Sequence, residues 1–209
     1  MTVDPHLAPH WASGALITID VQRDFLSEGP FGIPGTTEIL PRLGVLTAAF
    51  RAAGRPIVHI VRLYHGEDVD RVRRTLIDDG ADFARPGSPG RLLAPGFATE
   101  ADLDDDLLLK GEAQMLGPAE YAVYKPRWGA FYRTPLADLL ARHDVDTVVF
   151  AGCNLPNCPR ASIIEAHERD YRVVLATDAV SQASTQGFRE IAGIGTVLLS
   201  TDEVAAALR

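Results

Sequence analysis

Residues 146–178, DTVVFAGCNLPNCPRASIIEAHERDYRVVLATD, contain the pattern that decides the fold. The apolar run 146–152 predicts a buried strand, residues 159–170 have the spacing of a helix, and residues 171–178 predict a second buried strand. Near-continuous apolar strands that are separated by a helix are typical of a parallel sheet covered on both faces. This segment therefore predicts a parallel sheet.

Similar segments lie on both sides of this unit. Further strands are predicted at 14–20, 55–63, 121–125 and 196–200, and further helices at 37–54, 134–143, 184–192 and from Thr201 onward. We predict an α/β fold, a three-layer sandwich in which a central, mostly parallel sheet of five or six strands is covered by helices on both faces. Residues 1–209 are predicted to form a single domain, with an insertion at about 66–119 where loop signals and an acidic run interrupt the alternation.

Composition restricts the possible functions. The chain has 209 residues, 46% of them apolar, and a formal net charge of −8, which is typical of one globular domain. The acidic balance and the lack of a basic stripe argue against a nucleic-acid partner. No apolar run reaches the roughly 20 residues of a membrane helix, and the N-terminal residues do not resemble a secretory signal. We expect a cytoplasmic protein that acts on a small molecule.

The chain has two cysteines, Cys153 and Cys158, and both follow the 146–152 strand. Two cysteines in a chain of this length do not suggest a disulfide scaffold, and a zinc site would need a second pair of ligands elsewhere. Both are expected to be reduced thiols. A buried cysteine is often only a small core residue, and the position of Cys153 next to the strand favours that role for it.

Three reactive residues are expected at one edge of the sheet. Asp20 ends the first predicted strand, Lys125 ends the third, and Cys158 lies in the loop after the fourth. Ligands of open parallel sheets bind outside the carboxyl ends of the strands. A helix N-terminus and a nearby cation both lower the pKa of a thiol, so we expect Cys158 to be an ionised nucleophile, Asp20 its acid and base, and Lys125 an orienting cation. Taken singly, each residue also has an ordinary structural explanation.

Three motifs surround these residues. Residues 19–25, IDVQRDF, contain D-x-Q-x-x-F; residues 124–136, YKPRWGAFYRTPL, contain K-x-x-x-G-A-F-x-x-T-x-L; and in residues 152–162, GCNLPNCPRAS, a cysteine follows the glycine by six positions. Together they resemble the isochorismatase-like cysteine hydrolases, which include nicotinamidases, carbamoylsarcosine and ureidoacrylate amidohydrolases, and isochorismatase itself. The resemblance covers most of the chain outside 66–119 and implies that Asp20 and Lys125 are catalytic together with the cysteine nucleophile.

The same resemblance implies further features of the site. A cis peptide is expected between Cys153 and Asn154, and the backbone amides of Asn154 and Cys158 are expected to form an oxyanion hole. The metal motif of the nicotinamidase branch, D-x-H, is not matched, because Leu63 stands in place of the aspartate before His65. We therefore expect no metal and no cofactor, and the role of His65 stays open. Since family members are often oligomers, a homo-oligomer is expected.

The substrate is less well determined by the sequence. Five residues beside the motifs are candidates for substrate binding: Gln22, Phe25, Trp128, Phe131 and Tyr132. Core packing is the alternative for the aromatic residues, and capping of the first loop is the alternative for the glutamine. We expect hydrolysis of the C–N bond of a small amide, ureido or carbamoyl compound through a thioester. The alternatives are a lactam in a cationic antibiotic, the vinyl ether cleaved by isochorismatase, and a non-catalytic binding module.

Overall fold

A computed structural model describes residues 4–29 and 31–209. Its sheet has seven strands: β1 (Gly14–Ile19), β2 (Ile57–Val61), β3 (Gln114–Gly117), β4 (Glu120–Tyr124), β5 (Thr147–Gly152), β6 (Arg172–Val180) and β7 (Val197–Leu199). The spatial order is β3-β4-β2-β1-β5-β6-β7. Every neighbouring pair is parallel except β3 and β4, which are antiparallel. The α/β prediction is thereby confirmed.

Helices cover both faces of the sheet. They are α1 (Leu40–Ala52), α2 (Arg71–Asp78), α3 (Asp105–Leu109), α4 (Leu136–Arg142), α5 (Cys158–His167), α6 (Thr185–Gly193) and α7 (Thr201–Ala207). One core cluster joins α4, α5 and α6 to one face, and a second joins α1, α3 and α7 to the other. All six residues of β1 are buried, and adjacent residues such as Leu16 and Ile17 belong to opposite clusters. This two-sided burial explains the unbroken apolar runs in the sequence.

The number of strands differs from the prediction. All six predicted strands are present, and β3 adds a seventh at the edge of the sheet, inside the segment 66–119. The residues of β3 are only partly buried, and Met115 is 67% exposed. A short, half-exposed edge strand lacks the continuous apolar run that marks the central strands, so the sequence pattern did not reveal it.

Residues 69–84 of the segment 66–119 pack at one end of the sheet, whereas Phe97 and Leu108 of the same segment belong to the cluster on its face. A third core cluster forms there around Phe83, which contacts the rings of Phe25 and Tyr64 at centroid distances of 5.0 and 5.1 Å. Helix α2 follows Asp70, whose side chain accepts a hydrogen bond from the amide of Arg73 and caps the helix. These contacts place α2 beside the strand ends that carry the predicted reactive residues. Within the described ranges, no helix has both the length and the apolar character needed to cross a membrane.

Candidate active site

The carboxyl ends of β1, β4 and β5 bring the three predicted residues together. The amide of Asp20, directly after β1, donates to Ile60 O at 2.9 Å, and the amide of Lys125, directly after β4, donates to Val61 O at 3.0 Å. Both residues are therefore fixed against the end of β2. Helix α5 begins at Cys158 after a short turn from β5. The prediction that these side chains meet at one edge is confirmed.

Gly152 allows β5 to end close against β1. It has a φ of 114°, and a Cβ atom at this position would lie 2.4 Å from Ile19 O. A side chain would clash with the backbone of β1, and only glycine adopts this conformation readily. The next amide, that of Cys153, donates to Ile19 O at 2.8 Å. This close approach sets the cysteine loop beside Asp20.

Asp20 and Lys125 form a buried ion pair. Lys125 Nζ lies 2.9 Å from Asp20 Oδ2, and the two residues are 0% and 3% exposed. Lys125 Nζ also donates to Arg127 O at 3.2 Å. The other carboxylate oxygen, Asp20 Oδ1, is buried and has no hydrogen-bond partner among the described residues. A buried carboxylate oxygen without a partner is unusual and leaves Asp20 with a free position to accept a proton.

Cys158 faces this carboxylate across a small cavity. Burial raises the pKa of the Cys158 thiol to about 12, and the negative charge of Asp20 acts in the same direction, while Lys125 and Arg62 oppose it. The expectation of an ionised resting thiol is therefore wrong. The sequence indicated the cation and the helix N-terminus, but it could not show how deeply the sulfur is buried or how near the carboxylate lies. The resting group is a protonated thiol beside a proton acceptor.

Cys153 has the packing role that its position suggested. It is 1% exposed and belongs to the core cluster around Phe83. Burial raises the pKa of its thiol to about 12 as well. The two thiols thus have similar pKa values, and they differ instead in solvent access and in the side chains around them. Cys158 is partly exposed at the start of a helix, whereas Cys153 forms part of the cavity wall.

The turn before α5 has the backbone feature implied by the family resemblance, since the peptide bond between Cys153 and Asn154 is cis. The Asn154 side chain donates to Gln182 Oε1 at 2.6 Å, which occupies its amide group. The backbone amides of Asn154 and Cys158 donate to no other residue within 4–29 and 31–209. Two unused amides are thus available next to the thiol, and the oxyanion hole stays a prediction.

The cavity beside Cys158 has a volume of about 60 Å³. Two of the predicted substrate-binding residues, Phe25 and Trp128, line it. Phe25 is buried, and Trp128 is 41% exposed and also borders a second, shallower groove outside the cavity. The volume is well below the roughly 300–1,000 Å³ of sites that hold drug-sized ligands. The cavity therefore fits only a small group.

Three other predicted substrate-binding residues do not line this cavity. Gln22 is fully buried, and its amide group donates to Arg62 O and Arg91 O and accepts from the amide of Arg62, so no polar atom is left for a ligand. Phe131 lies in the main core and stacks on Tyr171. The predictions for Gln22 and Phe131 are wrong because both side chains are used in packing the fold.

Tyr132 also lies outside the cavity, but for a different reason. It is 47% exposed and borders the shallower groove next to Trp128. Its role in substrate binding therefore stays a prediction, and any contact would be made from this groove. His65 is exposed, and the described part of the chain contains no group of three His, Cys, Asp or Glu side chains that could hold a metal ion.

Sequence reasoning missed several residues of the cavity, above all two arginines. Arg62 directly follows β2 and is 4% exposed, and Arg73 lies on α2. Both line the cavity together with Tyr64 and Val72. Arg62 obeys the same rule that identified Asp20, because it is a polar residue at the carboxyl end of a central strand.

Comparisons with known proteins show the family of this chain. The family model described as the isochorismatase domain matches residues 14–203. A probable inactive nicotinamidase from Arabidopsis thaliana is 29% identical over 184 residues, covering 86% of each chain. A ureidoacrylate amidohydrolase from Methylorubrum extorquens is 27% identical over 191 residues, covering 84% of this chain and 72% of that protein.

A solved structure of an isochorismatase family protein from Desulfovibrio vulgaris superimposes with a TM-score of 0.79 and 28% identity, over 94% of this chain and 98% of that chain. The region matched by the family model contains all seven strands and the residues Asp20, Lys125 and Cys158. The matched region thus spans the whole sheet and the positions of these three residues. This chain belongs to the isochorismatase family of hydrolases.

Proposed function

We propose that this protein is a cysteine-dependent amidohydrolase that cleaves the C–N bond of a small amide, ureido or carbamoyl compound through a thioester. The observation that carries the proposal is the position of Asp20, which is held by Lys125 on one oxygen and faces the Cys158 cavity with a free one. A nucleophile next to a base that a third group orients is the arrangement that covalent catalysis needs.

In the first half of the reaction, Cys158 Sγ attacks the substrate carbonyl while the thiol proton moves to Asp20. The raised pKa of the thiol favours a transfer that is concerted with attack, because a free thiolate would be unfavourable in the buried site. A tetrahedral oxyanion forms. Asp20 then gives the proton to the nitrogen, the C–N bond breaks, and ammonia or an amine leaves a thioester on Cys158.

In the second half, Asp20 accepts a proton from a water molecule that attacks the thioester carbonyl. The C–S bond breaks, the acid product leaves, and the proton returns to Cys158. In both halves the oxyanion would accept hydrogen bonds from the unused amides of Asn154 and Cys158. Lys125 orients Asp20 and balances its charge in a site from which water is largely excluded.

Several observations weigh against the alternatives. Two arginines line the cavity, and their charge opposes entry of a cationic antibiotic. A vinyl ether hydrolase would use an acid such as Asp20 but would leave the nucleophile Cys158 without a use. A relative described as a probable inactive nicotinamidase makes a non-catalytic module a real alternative. Here Lys125 forms an ion pair with Asp20, and Asp20 and Cys158 line the same cavity, which favours catalysis.

The test is the release of ammonia or amine from a panel of small amides, ureides and lactams. Cys158→Ala should lower kcat by at least about 10⁴-fold, since the covalent route is lost. The matched control is Cys153→Ala, which removes the neighbouring buried thiol and should keep kcat within about threefold in the folded protein. Hydrolysis that survives in Cys158→Ala, or depends equally on both thiols, would show that the proposed nucleophile is wrong.

A further inference from the structure

The Arg62 guanidinium is buried at the cavity with part of its hydrogen-bonding capacity unused. It is 4% exposed, and Nη2 is paired with the carboxylate of Asp70. Nη1 is buried and has no hydrogen-bond partner among the residues that the structure describes. The Tyr64 ring lies 4.8 Å from the guanidinium carbon, which provides a cation–π contact but accepts no hydrogen bond from Nη1. Leaving a buried, charged donor unpaired is unfavourable, so Nη1 is suited to a ligand.

A second guanidinium lines the same cavity. Arg73 is half-buried on α2, with its guanidinium carbon 5.5 Å from the centre of the Phe83 ring. Within the described ranges, its side chain forms no ion pair with a carboxylate. Unlike Arg62, it can move toward a ligand without breaking an existing pair. The two arginines reach the cavity from different elements, the end of β2 and the first turn of α2.

The charges around the cavity do not cancel. The cations are Arg62, Arg73 and the buried Lys125, and the carboxylates are those of Asp20 and Asp70. With the Cys158 thiol protonated, one positive charge is left over. An anionic group that enters the cavity would neutralise it, in a setting of low dielectric where the attraction is strong.

We propose, on the basis of the proposed hydrolase function, that Arg62 and Arg73 bind a carboxylate of the substrate, which is therefore a small acyclic amide or ureide of a carboxylic acid. A planar guanidinium matches the two oxygens of a carboxylate. The volume of about 60 Å³ leaves room for few atoms between this group and the carbonyl that Cys158 attacks. The segment 66–119 then has a function, because it supplies Arg73 and also Asp70, which orients Arg62.

Alkylation of Cys158 tests this without knowledge of the natural substrate. Iodoacetate carries a carboxylate, and iodoacetamide has the same size and leaving group without the charge. The rate constant for each reagent at Cys158 is measured by peptide mass spectrometry, and their ratio is compared with the ratio for Cys158 in the urea-denatured chain. The native ratio of iodoacetate to iodoacetamide should exceed the denatured ratio by about 10- to 100-fold, as expected for one charge-assisted hydrogen bond of roughly 1.5–3 kcal/mol.

Arginine variants then identify the group responsible. In Arg62→Gln the native ratio should fall to within about threefold of the denatured one, while Arg73→Gln should lower it by about two- to fivefold. The ratio is used because loss of the Arg62 charge also raises the pKa of the thiol and slows both reagents. The control is Arg71→Gln, an exposed arginine on the same helix that does not line the cavity, and it should leave the ratio unchanged.

Two further measurements keep the test decisive. If Arg62→Gln does not fold because Asp70 is left unpaired, two other variants take its place in the test. Arg62→Gln/Asp70→Asn removes both charges of the ion pair, and Arg73→Gln breaks no ion pair. Equal native and denatured ratios, a ratio that Arg62→Gln and Arg73→Gln do not change, or no labelling by either reagent would overturn the carboxylate site. None of these results depends on hydrolysis, whereas the comparison of Cys158→Ala with Cys153→Ala tests the hydrolase and not the carboxylate site.

Discussion

Two buried charged clusters lie at opposite ends of β4. At its start, the Glu120 carboxylate accepts five hydrogen bonds, from Arg51, His59 and Thr99. After its end, Lys125 holds one oxygen of Asp20, and Asp20 Oδ1 and Arg62 Nη1 have no partner among the described residues. Both clusters join neighbouring strands, yet only the first is fully satisfied.

This difference indicates where the protein stabilises its fold and where it keeps groups for a ligand. A fully hydrogen-bonded buried carboxylate fixes the strands around it, whereas unpaired buried groups lower stability and need another explanation. The unpaired groups both border the Cys158 cavity. Exchanging one carboxylate at a time in the two clusters should therefore give opposite results, loss of catalysis at one end of β4 and loss of stability at the other.

The largest effect is expected for Asp20→Asn. The amide keeps the shape of the side chain but neither accepts nor returns the proton, so kcat should fall by about 10²- to 10⁴-fold on any substrate found in the panel, up to roughly 5.5 kcal/mol at the transition state. Steady-state kinetics at pH 7 on the folded variant measures this decrease in kcat. Retention of more than a tenth of the wild-type kcat would mean that Asp20 is no more than a structural partner of Lys125.

At the other end of β4, Glu120→Gln should lower the free energy of unfolding by roughly 3–5 kcal/mol, because it removes the charge that balances Arg51 and breaks hydrogen bonds to buried groups. The kcat of the folded variant should stay within about threefold of the wild type. Urea denaturation and kinetics on the same sample measure both quantities. A variant that is stable but inactive would reverse the assignment of the two clusters.

The pH dependence of stability sharpens the comparison further. Burial lowers the pKa of His59, although Glu120 opposes this effect. Burial alone would raise the pKa of Glu120, but hydrogen bonds from His59 and Arg51 outweigh it and hold that pKa well below its usual value. Below about pH 6.5 the unfolded chain binds a proton at His59 that the folded chain does not, so stability should begin to fall there.

A second decline should begin near pH 4.5, where Glu120 of the unfolded chain becomes protonated and the folded chain still holds it ionised. Urea midpoints measured from pH 8 to pH 4 follow both declines. The control is His59→Gln, which lacks the titrating group and should lose the slope between pH 7 and pH 5.5 while it keeps the one at lower pH. An unchanged slope in this variant would place the titrating group elsewhere.

The sequence predicted what depends on local pattern. Six strands and the meeting of Asp20, Lys125 and Cys158 follow from apolar runs and from the rule that strand ends share one edge. The sequence did not predict which buried polar groups have a full set of hydrogen-bond partners. Gln22 and Asp20 are both buried polar residues near the end of β1, but the first is fully hydrogen-bonded and the second is not.

Other failures have the same cause. Phe131 and Phe25 are equally apolar in the sequence, and only long-range contacts place one in the core and the other at the cavity. The protonation of Cys158 depends on the depth of burial and on a carboxylate that is 138 positions away in the chain. Such properties come from the assembled structure, because partners across the sheet determine them.

The smallest effect is expected for Arg51→Gln, at the partly exposed rim of the satisfied cluster. Its side chain is 38% exposed, and its two hydrogen bonds to Glu120 measure 2.8 Å. Because His59 and Thr99 still hold the carboxylate, the free energy of unfolding should fall by only about 1 kcal/mol, and 0.5 M salt should reduce the difference from the wild type. Urea denaturation at two salt concentrations measures it. A loss as large as that of Glu120→Gln would mean that Arg51 alone keeps Glu120 ionised, and the cluster would then depend on a single pair instead of on its complete set of hydrogen bonds.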